Sequence, residues 1–275
     1  MLTKNAVVYS LLIGILVLMV YLGTKAYHQA RVYEEVTAQL ITYQDAEQQI
    51  HLQFEKMAKQ LLGDWYDDSL GEQMAQIQAK QAYAQHKAKE YTLYFMCLLL
   101  VFLFSFFLIP VRAFTFLGSM AAILTLVFGL ITPILMVTIH KEVAYVGDIV
   151  LSFESKGVLG SILKLYRGGD VLVAGVIVLF SVLVPMAKVF SLVFVSVFME
   201  SKIAHDIIGF FKTIGKWSMV DVFVVAVFLV HLTANKAEIS RAEVEVGLYF
   251  FLAYVIVSIL VSLSADKMLL GLKNR

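Results

Sequence analysis

Six long apolar runs, separated by polar segments, dominate the chain. They cover roughly residues 6–24, 92–109, 115–139, 171–199, 217–232 and 246–264. Since a helix needs about 20 mostly apolar residues to cross the hydrocarbon core of a bilayer, this pattern predicts six transmembrane helices, of which the fifth is short. The first run follows Lys4 as a signal peptide would, but it is long and has no small-residue cleavage site. We therefore interpret it as an uncleaved anchor.

The polar segment after the first run carries an apolar stripe of its own. Apolar or small residues recur at spacings of four and three from Tyr33 to Leu61, and this spacing resumes from Met74 to Tyr91. It predicts an antiparallel helical hairpin continuous with both flanking membrane helices. The first arm would be roughly 27 Å too long, so it must bend near residues 42–45, or its tip must pack on another chain. The hairpin is either a docking element or a clamp that only holds two membrane helices together.

Two further segments alternate in hydropathy as strands do. Residues 142–153 predict one strand and residues 237–246 another, and the two can pair into a small sheet. Between them, residues 156–169 predict a short amphipathic helix that ends at a double glycine. The predicted fold is an all-α polytopic membrane protein with six transmembrane helices, a periplasmic helical hairpin and a small periplasmic β element.

Positive charges predict the orientation in the membrane. With the N-terminus inside, the short cytoplasmic segments receive Lys4, Arg112, Lys202, Lys212, Lys216, Lys267, Lys273 and Arg275. The opposite side receives residues 25–91, 140–170 and 233–245, in which acids match or outnumber bases. This distribution obeys the positive-inside rule. We therefore predict a multi-pass protein of the bacterial inner membrane, with both termini in the cytoplasm and the three larger loops in the periplasm.

Composition narrows the range of chemistry. The chain is 60% hydrophobic with a formal net charge of +1, which argues against a basic nucleic-acid-binding surface. Its one cysteine, Cys97, excludes an internal disulfide and a multi-cysteine zinc site. The histidines are scattered singly, and neither a phosphate-binding glycine loop nor a nucleophile–base pair is apparent. We predict no enzyme activity, no catalytic residue, no cofactor and no metal site.

Two charged residues lie within the apolar runs. Asp221 is the fifth residue of the short run, where an ionised side chain costs roughly 2.5–3.5 kcal/mol on insertion scales. Lys188 lies on the fourth run, about 16 Å from its cytoplasmic end, which is too deep to reach the surface easily. Asp221 enters the membrane from the same side and is the acid best placed to pair with Lys188. Alternatively, Asp221 lies at the interface and reaches the cytoplasmic surface.

Small polar groups accompany this pair, and those that could line a polar path are Ser181, Ser191, Thr132, Ser258 and Ser262. From Ser181 onward, Pro185, Lys188 and Ser191 follow at i+4, i+7 and i+10, which places all four on one helical face. Pro185 removes a backbone hydrogen bond and can kink the helix. Hydroxyls in membrane helices also serve plain helix packing, so this alternative stays open for the serines and the threonine.

These residues form part of a resemblance to the paraquat-inducible protein A family. The run KWSMVDVFVV from Lys216 to Val225, preceded by VPMAK ending at Lys188, is similar to that family's pattern, as are segments 152–160 and 165–170. The resemblance covers about residues 112–265, one complete four-helix domain of the family. The residues that match motif positions are Pro185, Lys188, Trp217, Ser218, Met219 and Asp221.

The resemblance implies a role in moving phospholipids or related lipids between the inner and outer membranes. Family members work beside MCE-domain proteins, which form periplasmic tunnels, and load or extract lipid at the inner membrane. Lys188 and Asp221 would then be a proton-responsive pair, because protonating an intramembrane aspartate removes the charge that holds its lysine. Well-known relatives carry two such domains and cytoplasmic Cys-x-x-Cys zinc ribbons, whereas this chain has one domain and one cysteine. A homodimer or a second subunit would complete the transporter.

The predicted organisation has three parts. Residues 1–111 form the anchor, the periplasmic hairpin and the second membrane helix, residues 112–265 form the four-helix membrane domain, and residues 266–275 form a cytoplasmic tail. Two other functions stay open: a non-transporting adaptor or sensor that uses the hairpin, and a small-solute carrier that uses the polar pair. The short cytoplasmic loops leave no room for an output domain, which weighs against signalling.

Overall fold

The computed structural model describes residues 2–43, 69–143, 147–197 and 240–273. The helices within these ranges are α1 (Leu2–Tyr43), α2 (Ser69–Phe104), α3 (Val111–Ile131), α4 (Val158–Arg167), α5 (Val171–Val178), α6 (Val184–Val197) and α7 (Val246–Lys273). The strands are β1 (Leu135–Val143), β2 (Gly147–Lys156) and β3 (Ser240–Val244). A 3₁₀ turn, Ser105–Phe107, follows α2, and a π-helix, Leu179–Leu183, joins α5 to α6.

Five helical segments in the described ranges are long and apolar enough to cross a membrane. They are Ala6–Leu40, Glu72–Phe107, Val111–Ile131, Val171–Val197 and Val246–Met268. These segments correspond to the first four and the last of the six predicted spans, and the fifth predicted span, 217–232, lies outside the described residues. The protein is thus a largely helical, multi-pass membrane protein, as the sequence predicts.

Helices α1 and α2 form an antiparallel hairpin, and both are longer than the about 20 residues that crossing a bilayer requires. Ala30 packs near Ala88, and two turns further Thr37 Oγ1 accepts a hydrogen bond of 2.8 Å from Gln81 Nε2. The side-chain amide of Gln85 also reaches the Tyr33 hydroxyl at 3.3 Å. Of the predicted apolar stripe, Tyr33, Val36 and Leu40 on α1 and Ala84 and Ala88 on α2 are buried. The predicted bend and the remainder of the first arm, residues 44–68, lie outside the described residues.

Helix α3 lies at the centre of the bundle, in contact with α1, α6 and α7. Its glycines allow close approach: a Cβ at Gly129 would lie 2.9 Å from the backbone nitrogen of Phe251 on α7. The rings of Phe95, Phe128 and Phe250 meet where α2, α3 and α7 come together, with centroids 4.9 to 6.0 Å apart. Small residues at helix contacts and interlocked aromatic rings are therefore the main source of packing energy here.

The predicted third span, 115–139, is too long, because α3 ends at Ile131. Thr132 takes an extended conformation (φ −83°, ψ 144°), which is the conformation favoured before a proline, and Pro133 cannot continue the helical hydrogen bonds. The chain then enters β1 at Leu135. The apolar residues that follow Pro133 had extended the predicted helix into this strand.

The three strands form one antiparallel sheet in the order β2-β1-β3. The predicted strand 142–153 is wrong in its bounds, because Glu142 and Val143 end β1 whereas Gly147 begins β2. β3 lies within the second predicted strand, 237–246, but its partner is β1, in register from Leu135 opposite Val244 to Ile139 opposite Ser240. The small β element is therefore present, built around a strand that the sequence had assigned to a membrane helix.

The amphipathic helix predicted over 156–169 is confirmed as α4. It ends at Arg167, directly before the predicted double glycine. Gly168 donates its backbone N–H to the carbonyl of Lys164 at 2.9 Å, and Gly169 adopts a positive φ of 92°. Asp170 then closes the turn by donating to the carbonyl of Leu165 at 3.0 Å. A left-handed residue is favourable for glycine alone, which explains the stop. The chain is thereby redirected into α5.

Candidate functional site: a polar contact between two membrane helices

The span from Val171 to Val197 changes its helical pattern in the middle. Pro185 has no N–H to offer the carbonyl of Ser181, four residues earlier, so a regular α-helix would lose a hydrogen bond here. The preceding residues form a π-helix instead, in which the N–H of Val184 bonds to the carbonyl of Leu179. Single π turns inside α-helices occur frequently at functional sites. This wide turn immediately precedes the residues that form the polar contact.

Lys188 is buried between α6 and α7, with 9% of its surface exposed. Its Nζ donates to Ser258 Oγ at 3.2 Å, and Ser258 Oγ in turn donates to the carbonyl of Val255 at 3.2 Å. Ser262 Oγ donates to the carbonyl of Ser258 at 2.7 Å. Among the residues whose side chains the structure describes, Lys188 is the only buried lysine or arginine. The sequence had marked Lys188 and Ser258 separately, and the structure joins them.

A second contact lies one turn away on the same pair of helices. The fully buried Tyr254 donates its hydroxyl to the carbonyl of Pro185 at 3.4 Å. Pro185 and Lys188 on α6 thus face Tyr254 and Ser258 on α7, at helical spacings of three and four. Tyr254 was missed in the sequence, although its position four residues before Ser258 places it on the same face.

The contact lies inside two apolar spans, Val171–Val197 and Val246–Met268. Arg112, at the start of α3, donates to the carbonyls of Ser196 at 3.1 Å and Val197 at 3.2 Å, which ties the end of α6 to the end of the bundle. Lys188 precedes Val197 by nine residues, or about 14 Å along a helix. Half of the hydrocarbon core is about 15 Å thick. Lys188 therefore lies in the interior of the apolar span Val171–Val197, away from both of its ends.

The predicted polar face of the fourth span is only partly preserved. Pro185 and Lys188 are buried against the bundle, whereas Ser191 Oγ bonds to its own helix at the carbonyl of Ala187, at 2.7 Å. Ser181 is half-buried within the π-helix. Thr132 is buried at the other end of α3, where its hydroxyl has no hydrogen-bond partner among the described residues.

The remaining predicted site residues are Asp221, Lys216, Trp217, Ser218 and Met219, and all of them lie outside the described residues. The pairing of Lys188 with Asp221 therefore stays a prediction. Within the described ranges, no three His, Cys, Asp or Glu side chains come together in a way that could hold a metal ion.

The arrangement combines a buried cation, a hydroxyl that both accepts and donates, and a helix whose backbone pattern changes next to them. A cation at this depth is costly unless polar groups surround it. Such residues in membrane helices mark ion and substrate pathways or proton relays more often than plain packing. The described geometry therefore makes Lys188 and Ser258 the candidate functional site.

Comparison with known families gives one match. The model of the family described as paraquat-inducible protein A matches residues 114–270, more than half of the chain. The matched region begins in α3 and ends in α7, so it contains both Lys188 and Ser258, whereas α1 and α2 precede it. No curated protein and no solved structure matches the chain.

Proposed function

The chain belongs to the paraquat-inducible protein A family, and we propose that it is an inner-membrane component of an intermembrane phospholipid transport system. The observation that carries the proposal is the buried contact between Lys188 and Ser258, inside two apolar spans and next to a π-helix. A packing role alone would not require a lysine at this depth. The family resemblance supplies the expectation that the cargo is a lipid.

In the proposed mechanism, Lys188 alternates between two sets of partners. With Asp221 ionised, the carboxylate and the Ser258 hydroxyl together stabilise the ammonium group. When Asp221 takes up a proton, that charge is lost, and Lys188 is left with hydroxyl and backbone partners. The change favours a different packing of α6 on α7. The π-helix before Pro185 is the place where α6 can adjust relative to α5, because its hydrogen bonds are already outside the α pattern.

The hairpin of α1 and α2 is the proposed docking element for a periplasmic MCE-domain partner. α1 has 42 residues and α2 has 36, or about 63 Å and 54 Å of helix at 1.5 Å per residue. Because the hydrocarbon core takes only about 30 Å, both helices project well beyond it. A homodimer or a second subunit would supply the domain that two-domain relatives carry in one chain. The proposal assigns no catalytic residue and no cofactor.

The test compares the full-length wild-type protein with Lys188→Met and Asp221→Asn, using Ser191→Ala as a matched control. Ser191 lies on the same helix, and its hydroxyl bonds only to a carbonyl of that helix in the described structure. We expect mass spectrometry of co-purifying lipid to show bound phospholipid in the wild type. Both site variants should change its amount or reduce phospholipid exchange between the two membranes, whereas the control should match the wild type.

Stable expression of each variant is checked by size-exclusion chromatography, so that a folding defect is recognised as such. Unchanged lipid content, unchanged exchange and full outer-membrane integrity in both Lys188→Met and Asp221→Asn would contradict a transport role for the pair. A change in the flux of a small solute or of protons, without a change in lipid, would favour the carrier alternative instead.

A further inference from the structure

An apolar groove opens between α2 and α7, away from the polar contact and at the end of the bundle that the sequence predicts to be cytoplasmic. Its volume is about 550 Å³, within the range of about 300–1,000 Å³ that is usual for ligand sites. Leu103 and Phe104 at the end of α2 and Phe107 in the 3₁₀ turn form one wall, and Leu260 and Leu263 of α7 form the other. The family match covers α7 but not α2, so one wall of the groove comes from the matched region and the other from outside it.

The walls suit a hydrocarbon chain. Phe104 is 68% exposed, Phe107 is 79% exposed and Leu263 is 55% exposed, all within segments that are apolar enough to cross the membrane. Surfaces of this kind on a membrane helix contact acyl chains. A concave surface of this kind can bind one acyl chain in a defined position, whereas a flat surface contacts lipids that exchange freely.

A buried serine in the wall of the groove has a hydroxyl without a hydrogen-bond partner among the described residues. Ser264 lines the groove and is only 1% exposed, yet its Oγ makes no hydrogen bond among the described residues. Serines in helices commonly donate to a carbonyl of the preceding turn, as Ser258 and Ser262 on the same helix do. A buried hydroxyl without such a bond costs free energy unless a ligand supplies the acceptor. An ester carbonyl of a glycerolipid is an acceptor that lies between chains and head group.

The mouth of the groove carries two opposite charges. Asp266 and Lys267 both line it, and Lys267 Nζ lies 5.2 Å from the centre of the ring of Phe106, which also lines the groove. Lys267 follows Val246, the first residue of α7, by about 32 Å of helix. That distance is close to the thickness of the hydrocarbon core, about 30 Å, so the two charges lie at the head-group level.

We propose that this groove binds one zwitterionic phospholipid with an amine head group, taken from the surrounding leaflet. One acyl chain lies between α2 and α7, an ester carbonyl accepts a hydrogen bond from Ser264, the phosphate contacts Lys267 and the amine contacts Asp266. A lipid without the amine would still place its phosphate beside Lys267 but would leave the Asp266 carboxylate without a cationic partner. The fate of the bound lipid rests on the proposed transport function. Binding of the lipid to the groove is measured without transport.

The experiment reconstitutes the full-length protein into vesicles of phosphatidylethanolamine and phosphatidylglycerol in equal amounts, re-extracts it, and quantifies retained lipid per chain by mass spectrometry. Leu263→Trp fills the groove. Leu252→Trp is the matched control, since Leu252 is 48% exposed and lies three turns earlier on the same face of α7, outside the groove. Lys267→Gln and Ser264→Ala test the two polar contacts, and thermal unfolding of each variant reports on folding.

The wild type and Leu252→Trp should retain phosphatidylethanolamine in preference to phosphatidylglycerol. Leu263→Trp should retain about tenfold less, and Lys267→Gln about tenfold less as well, the factor expected for one charged hydrogen bond. Ser264→Ala should reduce retention without lowering the unfolding temperature. Equal retention by Leu263→Trp and Leu252→Trp, or no preference between the two lipids in the wild type, would overturn the proposal. Because retention is measured without transport, a null result for Lys188→Met and Asp221→Asn in lipid exchange would leave this result unaffected.

Discussion

The contact between Lys188 and Ser258 allows a quantitative test by a double-mutant cycle. Ser258→Ala removes the hydroxyl that accepts the hydrogen bond of 3.2 Å from Lys188 Nζ, while Lys188→Met removes the charge and keeps an unbranched apolar chain. A hydrogen bond to a charged group contributes about 1.5–3 kcal/mol in soluble proteins. Interhelical polar contacts in a membrane average about 0.6 kcal/mol and reach about 1.7 kcal/mol. Since this bond is both charged and in the bilayer, we expect a coupling free energy of about 1–1.5 kcal/mol.

The coupling is measured from the unfolding free energies of the wild type, the two single variants and the double variant in mixed detergent–lipid micelles. Ser258→Ala alone should destabilise the protein, and it should cost clearly less when Lys188 is already methionine. Ser196→Ala combined with Lys188→Met provides the control cycle, because the Ser196 hydroxyl bonds to the carbonyl of Val193 within its own helix, two turns from Lys188. Independent sites add to within about 0.3–0.5 kcal/mol. A coupling inside that limit for Ser258 and Lys188 would refute the idea that this hydrogen bond stabilises the α6–α7 pair.

Two further predictions concern the packing that holds this pair in place. Gly129→Ala should destabilise the protein by about 1–3 kcal/mol, because its Cβ would lie 2.9 Å from the backbone nitrogen of Phe251. Gly175→Ala is the control: a Cβ there meets nothing within 4 Å, so this variant should be neutral or slightly stabilising in the same thermal unfolding assay. Equal unfolding temperatures for the two variants would contradict the close approach of α3 and α7. Arg112→Gln should cost about 1 kcal/mol and speed hydrogen exchange at the end of α6, because both carbonyls at Ser196 and Val197 lose a charged donor. Unchanged hydrogen exchange at the end of α6 would mean that groups other than Arg112 stabilise this end of the helix.

The membrane helices were predictable because long apolar runs have few alternatives in a membrane protein. The hairpin was predictable for a similar reason: a spacing of three and four fixes one face of a helix, and residues such as Ala30 and Ala88 do meet across α1 and α2. The stop of α4 at Gly168 and Gly169 was also predicted, because a left-handed turn favours glycine.

The strands were harder to predict than the helices. The run after Pro133 is as apolar as the helix before it, so hydropathy alone extends the helix through Ile134 into what is β1. A residue before proline disfavours the helical conformation, and Thr132 is extended as this rule predicts. Applied to the sequence, the rule would have ended the predicted helix at Thr132. The predicted helix was too long and covered the first residues of β1, so the sequence did not predict β1 as the partner of β3.

At the polar site, the sequence indicated which side chains are unusual but not which of them meet. Lys188 stood out because a charge inside an apolar run is rare. Its contact with Ser258, 70 residues further along the chain, depends on how α6 and α7 are rotated about their axes, which the hydropathy of either helix leaves open. The π-helix at Leu179–Leu183 contributes to that rotation, and no periodic pattern in the sequence marks it.

The small sheet has a mechanical consequence for the membrane helices below it. Glu245 donates its backbone N–H to the carbonyl of Ile134 and Gly247 donates to the carbonyl of Pro133, both at 2.9 Å, so β1 and β3 fasten the end of α3 to the beginning of α7. Two helices joined in this way cannot slide past each other along their axes at that end. Any rearrangement of the bundle must therefore pivot about the sheet, and the largest displacements fall at the opposite ends of α3 and α7, where the groove opens.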